Sequence, residues 1–135
     1  MLQYGMSINK KIVSWEEVES YIQQLIAHVK EKGLKPSGVY GLPRAGLVYA
    51  VMVSYHMNIP LLMAPTEGCI IIDDIADSGR TLSHFTNNDT QFNKYFITTM
   101  YYHTRSIVKP DFYVAEKGDA WIVFPYEYND PNGLS

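Results

Sequence analysis

Between Cys69 and Leu82, four apolar residues, Cys69-Ile70-Ile71-Ile72, run into the carboxylates Asp73 and Asp74, then through Ile75 and Ala76 into the small-residue turn Asp77-Ser78-Gly79-Arg80-Thr81. Adjacent carboxylates at a strand end can accept hydrogen bonds from the vicinal hydroxyls of a sugar and can hold a hard divalent cation, which takes oxygen ligands. The amides of Ser78, Gly79, Arg80 and Thr81 at a helix start, with two hydroxyls and a guanidinium, suit a phosphate monoester. Asp77 stands at the turn entrance, where a carboxylate can accept a proton from a heterocycle. A sugar phosphate with a metal is implied, although an isolated Asp-Ser-Gly would read equally well as ordinary turn capping. A second loop, Gly41-Leu42-Pro43-Arg44-Ala45-Gly46-Leu47, sets one arginine among small residues, which suits a pyrophosphate or merely makes a tight turn with a solvated arginine. In Asp119-Ala120-Trp121-Ile122-Val123-Phe124-Pro125-Tyr126-Glu127, the tryptophan is either a stacking surface or a core aromatic. The clusters Tyr101-Tyr102 and Tyr126-Glu127-Tyr128 are either part of an oligomer surface or the aromatic edges of a small β subdomain. His28, His56 and His84 lie singly, without metal-ligand spacing.

These residues need elements to carry them. Ser14-Trp15-Glu16-Glu17 has the form of a capping box, and Trp15, Val18, Ile22, Leu25, Ile26 and Val29 recur at helical spacing, so a packing helix is expected over about 15–32, stopped by Gly33 and Pro36. A buried strand at 38–41, a helix from about Leu47 to His56 with Asn58 as terminator, an extended piece at 59–63, a turn at 65–68 and a buried strand at 69–72 follow. After Thr81 come a short helical segment to about Phe85, a surface loop over 86–90 and a strand from Tyr95 to Tyr102. From His103 to Glu127, short β-like pieces around 112–114 and 121–123 suggest a small irregular subdomain. Strands and helices alternating in this way predict an α/β domain with a mostly parallel sheet flanked by helices, and ligands bind at the carboxyl ends of such strands.

Composition agrees. The 135 residues, 47% hydrophobic and 19% charged, suit one domain spanning 1–135, with a core over about 12–102 and the smaller piece over about 103–128. A formal charge of -3 lacks the basic field of a nucleic-acid or membrane-surface binder, so small ligands are the expected partners. Cys69, the one cysteine, supports neither a disulfide framework nor a thiolate metal cage, which fits a reducing cytoplasm. Lys10-Lys11 is followed by only Ile12 and Val13 before polar residues return, so no signal peptide is read there, and no window approaches a membrane span.

The stretch from Cys69 to Leu82 resembles the signature with which type I phosphoribosyltransferases bind 5-phosphoribosyl 1-pyrophosphate (PRPP): an apolar strand, two acidic residues and a short loop ending in Gly-x-Thr. The resemblance implies that family's fold, with a small C-terminal hood. It implies that Asp73 and Asp74 contact the ribose hydroxyls and Mg²⁺, with Asp74 the metal residue, and that Ala76, Asp77, Ser78, Gly79, Arg80 and Thr81 hold the 5′-phosphate. An aspartate at position 77 is the pattern of the 6-oxopurine branch, where it serves catalysis at the N7 proton of the base. Pro43, Arg44, Ala45 and Gly46 stand where the family binds pyrophosphate, with Ala45 in place of a glycine. In the hood, Trp121 would stack on the purine and the main chain of Ile122 would read its edge. His103 falls where the xanthine-guanine branch has a lysine that donates to the 6-oxo group, and it either reads the base or caps a loop.

The likeness covers roughly residues 38–127. It implies a purine salvage enzyme that turns PRPP and guanine, xanthine or hypoxanthine into a nucleoside monophosphate and pyrophosphate, working as a homodimer or homotetramer. One departure supports a rival. Relatives carry a long mobile hairpin before the acidic pair, whereas Asn58 to Gly68 leaves only a tight turn, as in a PRPP or nucleotide sensor with little turnover. Retention of Asp77 argues for the enzyme.

Overall fold

The computed structural model describes residues 9–86 and 95–127. Helix α1, Trp15–Glu31, begins at the expected capping box: Ser14 Oγ accepts the Glu17 amide at 3.1 Å and Glu17 Oε1 accepts the Ser14 amide at 2.9 Å. Its buried face is Val18, Tyr21, Ile22, Leu25, Ile26 and Val29. Trp15, expected on that face, is instead 51% exposed at the first position of the helix, with its ring 6.1 Å from that of Tyr126. Gly33, at φ +70°, ends the helix where a side chain would be strained.

Four parallel strands form the main sheet in the order β2-β3-β4-β5: β2 Val39–Gly41, β3 Ile70–Ala76, β4 Phe96–Tyr102 and β5 Ala115–Glu116. Strand β3 outruns the expected end at Ile72. Partners on β4 (Asp73 with Thr99, Ile75 with Tyr101, Ala76 with Tyr102) carry the ladder through the acidic pair to Ala76. Ile70 and Ile72 face one core with α1 and with α2, Ala45–Met57, while Cys69 and Ile71 face a second with Leu42, Leu82, Ile97 and Val108. Burial on both faces is why this strand reads as a continuous apolar run.

Helix α2 starts two positions earlier than expected, since Arg44 already has helical dihedrals, and it stops at Asn58 in the left-handed region. The extended piece at 59–63 contributes a single bridge, Leu61 to Val39. Of the β-like piece at 112–114, Phe112 makes one bridge to Thr98, and the strand proper is β5, which starts directly after the piece and belongs to the main sheet. The hood is a two-stranded parallel ribbon of β6, Trp121–Val123, with β1, Lys10–Ile12. That partner strand was not foreseen. Ile122 and Phe124 fasten the ribbon to the core that α1 covers. The loop expected at 86–90 lies, from Asn87 onward, outside the described residues, as does Tyr128.

Candidate active site

The carboxyl ends of β2, β3 and β4 carry the polar groups. Asp73 and Asp74 are half-buried, and their first partners are local: Asp73 Oδ1 accepts the Asp74 amide at 2.8 Å and Asp74 Oδ1 accepts the Ile75 amide at 2.7 Å. Burial, followed by the negative charge of Asp74, pushes the Asp73 carboxyl up to about 8. Neither carboxylate has a cationic partner among the described ion pairs. Asp74 Oδ2 accepts the Tyr126 hydroxyl at 3.2 Å, so a residue of the hood reaches the acidic pair.

Immediately beyond β3, residues 77–81 curl around a depression of about 170 Å³ lined by Asp73 and by Ile75 through Leu82. Gly79 sits at φ +82°, and a β-carbon there would meet Ser106 Oγ, as well as the Val108 nitrogen at 2.9 Å. The segment after β4 therefore packs directly on the turn, and the Ile107 amide donates to the Ser78 carbonyl at 2.9 Å. The Arg80 amide is taken by Ser78 Oγ at 3.3 Å, whereas no described hydrogen bond uses the amides of Ser78, Gly79 or Thr81. Open amides around a left-handed glycine make an anion cradle. The helix expected to follow is the single 3-10 turn Leu82–Phe85, so the cradle rests on the loop amides and little helix dipole stands behind it.

The second loop is built by close approach. A β-carbon on Gly41 would strike the Gly46 carbonyl oxygen, and one on Gly46 would lie 2.5 Å from the Ile72 oxygen, so the start of α2 lies against β2 and β3. The Pro43–Arg44 peptide is cis, Pro43 and Arg44 are exposed, and the Gly46 amide donates to the Leu42 carbonyl at 2.8 Å. Ala45 opens α2 without a left-handed backbone, so its methyl meets no conformational penalty.

Asp77 is engaged by a residue that sequence reasoning missed. Arg105 Nε and Nη2 both donate to Asp77 Oδ1, at 3.1 and 2.8 Å, leaving Oδ2 free. The Arg105 amide also donates to His103 Nδ1 at 3.0 Å, while the His103 carbonyl accepts the Ser106 amide. His103 thus caps the turn after β4, and its Nε2 is left as the position for a proton. Trp121 is 63% exposed, which excludes the core-aromatic alternative. Bonds from the Trp121 amide to Asn9 and from the Val13 amide to Val123 set alternate β6 residues toward β1, so the main-chain groups of Ile122 face the other edge.

The structure brings together Asp77, Arg105 and His103, and Asp74 with Tyr126; no described contact joins Arg44 to the acidic pair or Trp121 to Asp77. Tyr101 and Tyr102 are buried and belong to the core, not to an oligomer surface. A larger cavity, about 290 Å³, opens at the opposite end of the sheet among mostly apolar residues such as Val29, Leu34, Ile70 and Phe96, with Lys35 and Asp111 also on its lining and Asp111 Oδ2 taken up by the Ile97 amide. His28 packs against Phe96 and Phe112, and His56 pairs with Glu19 at 3.2 Å. Among the described residues, no cluster of three or more His, Cys, Asp or Glu could hold a metal, and no helix is long and apolar enough to cross a membrane.

No protein-family model matches the chain. It is 26% identical over 145 residues to a xanthine-guanine phosphoribosyltransferase of Cereibacter sphaeroides, covering 85% of each chain. A purine phosphoribosyltransferase structure from Pyrococcus horikoshii matches with a TM-score of 0.75 and 25% identity, over 90% of this chain and 96% of that one. A xanthine-guanine-hypoxanthine phosphoribosyltransferase from Helicobacter pylori shares the fold at a TM-score of 0.67 and 19% identity, over 87% and 91% of the two chains.

Proposed function

We propose a definite reaction for this chain, which belongs by sequence and fold to the type I phosphoribosyltransferases in their 6-oxopurine branch: N9 of guanine, xanthine or hypoxanthine displaces pyrophosphate from PRPP, giving the nucleoside monophosphate. The observation that carries it is the single run in which β3 delivers Asp73 to an open amide cradle at 77–81, with Asp74 next to it on the strand. The cradle would take the 5′-phosphate and the acidic pair the ribose hydroxyls, while Pro43, Arg44, Ala45 and Gly46 would take the pyrophosphate.

Two half-buried carboxylates without a cationic partner among the described ion pairs suit one hard divalent ion, and Mg²⁺ usually takes only one or two protein carboxylates, with waters and substrate phosphates completing its shell. Asp74, with Asp73 beside it, would hold Mg²⁺, which when bound neutralises charge on the pyrophosphate. Asp77 would use its free Oδ2 to offset the positive charge that develops on the purine. His103 Nε2 would donate to the 6-oxo group, Trp121 would stack on the ring, and Ile122 would read its edge.

We further propose a single domain of core and hood that works in the cytoplasm as a homodimer or homotetramer. Leu47, Val51 and Tyr55, exposed along one face of α2, support subunit contact.

The test is incubation of the purified protein with Mg²⁺, PRPP and each purine, with product detected by chromatography; monophosphate formed from at least one 6-oxopurine is expected. One feature bears on the rival sensor. The segment that stands where relatives carry a long hairpin is tied along β2, with the Val39 amide on the Pro60 carbonyl and the Leu62 amide on the Val39 carbonyl, each at 2.9 Å. PRPP binding without product from any purine would select the sensor.

A further inference from the structure

Tyr126 is the side chain through which the hood reaches the acidic pair. Its position is strongly determined. The turn after β6 closes with the Phe124 amide on Glu127 Oε1 at 3.0 Å and the Glu127 amide on the Phe124 carbonyl at 3.1 Å. The ring stacks on Phe124 at 5.3 Å with 5° between the planes, meets Tyr49 edge-on at 5.8 Å, and lies 6.1 Å from Trp15. Its hydroxyl lies 3.2 Å from Asp74 Oδ2 and 3.0 Å from the Tyr49 hydroxyl, and Tyr49 is fully buried in α2. A carboxylate only accepts, so the single Tyr126 proton goes to Asp74; the Tyr49 hydroxyl, whose other neighbour is the weak acceptor Met100 Sδ at 3.8 Å, then donates to Tyr126. The chain of hydrogen bonds has one direction, from the buried helix through the hood to the acidic strand.

We propose that Tyr126 is a positioning residue that ties the hood to the donor site by holding the Asp74 carboxylate in its working orientation, with Tyr49 holding Tyr126. This rests on the reading of Asp74 as the Mg²⁺ and PRPP residue. Asp74 Oδ1 is already turned to the Ile75 amide, so the Tyr126 hydroxyl is the one described side-chain contact that fixes the other oxygen. Partners of this kind around a ligating carboxylate commonly change metal affinity about 10- to 100-fold.

Tyr126→Phe keeps the ring in its stack and removes only the hydroxyl. Calorimetric titration of PRPP at a series of Mg²⁺ concentrations should show half-saturation by Mg²⁺ raised about tenfold in Tyr126→Phe. Tyr49→Phe should raise it less, and Tyr126→Phe should have no further effect in an Asp74→Asn background. A purely structural role would instead lower the unfolding temperature and leave the Mg²⁺ dependence unmoved. Unchanged Mg²⁺ dependence in Tyr126→Phe, or additive effects with Asp74→Asn, overturns the proposal while the functional reading stands. If the unaltered protein binds no PRPP in a Mg²⁺-dependent way, the reading of the donor site falls and this proposal with it.

Discussion

The two sides of the candidate site are built in opposite ways. On the donor side, Asp73 through Thr81 come from one uninterrupted stretch of chain, and the neighbouring loop 42–46 is locked by backbone contacts between Gly41, Gly46 and Ile72. On the base side, His103 and Arg105 come from the turn after β4, Trp121 from β6 itself and Tyr126 from the turn after it, and the hood strand finds its partner at the other end of the chain, in β1. A contiguous cradle needs only local folding, whereas the base side exists only when chain segments more than a hundred residues apart pair. Under the proposed reading, substrate discrimination would fall on the side with fewer backbone constraints and more exposed side chains, where a residue can change without disturbing the cradle.

The largest effect should come from separating the two carboxylate roles. Asp77→Asn removes charge needed only as the purine becomes positive, so kcat should fall roughly 10²–10³-fold with PRPP affinity nearly unchanged. Asp74→Asn should do the reverse, weakening Mg²⁺-dependent PRPP binding measured by calorimetry. If both substitutions act on binding alone, the division between donor and base sides fails at Asp77.

The same contrast governs what could be read from the sequence. The acidic run, the capping box at Ser14 and the glycine loop are short-range patterns, and their physics is local. By contrast, the continuation of β3 to Ala76 depends on β4 supplying partners as far as Tyr102, which no local pattern of Asp73 to Ala76 announces. Arg105 is not legible in the sequence, because an isolated arginine in a turn has no signature until the fold sets it on Asp77. Tyr126 looked like one more edge aromatic, and Lys10 to Ile12 is too short to declare itself a strand. The exposure of Trp121 required knowing that Ile122 and Phe124, not the tryptophan, turn inward.

A next test sharpens the donor side through stability. Asp73 is raised by burial to about 8, above its ordinary value, so the folded state prefers it protonated. Its charged form therefore costs stability, a cost absent below about pH 4, growing as pH rises through the folded value near 8 and complete above it. In EDTA, the unfolding temperature should fall across this window, and Asp73→Asn should flatten the decline. Mg²⁺ with PRPP should restore stability most at the alkaline end. A flat profile in the unaltered protein, or one insensitive to Asp73→Asn, would remove the acidic pair as a strained, cation-seeking site.

On the base side, Trp121→Ala should raise the KM for the purine about tenfold, in line with about 1–3 kcal/mol for stacking a base on an aromatic ring. It should leave the unfolding temperature nearly unchanged, because the ring is 63% exposed. A marked loss of stability would mean that Trp121 is structural.

The smallest effect should come from Arg105, where the base side touches the donor side. Its guanidinium places two N–H groups on the same oxygen of Asp77, an arrangement that would leave Oδ2 for the purine in the proposed reaction. Both partners are well exposed, 63% for Arg105 and 43% for Asp77, and exposed pairs are worth only about 0–1 kcal/mol. Arg105→Ala should therefore barely change stability or PRPP affinity and should lower kcat/KM for the purine only about two- to fivefold, with part of that recovered in Arg105→Lys. The loss should shrink at high salt, where screening has already weakened the pair in the unaltered protein. The backbone bond to His103 Nδ1 survives in both variants, so any effect reports the guanidinium alone. A loss as large as that of Asp77→Asn would show that Arg105 touches the substrate directly and that the base side is not the loosely held region its exposure suggests.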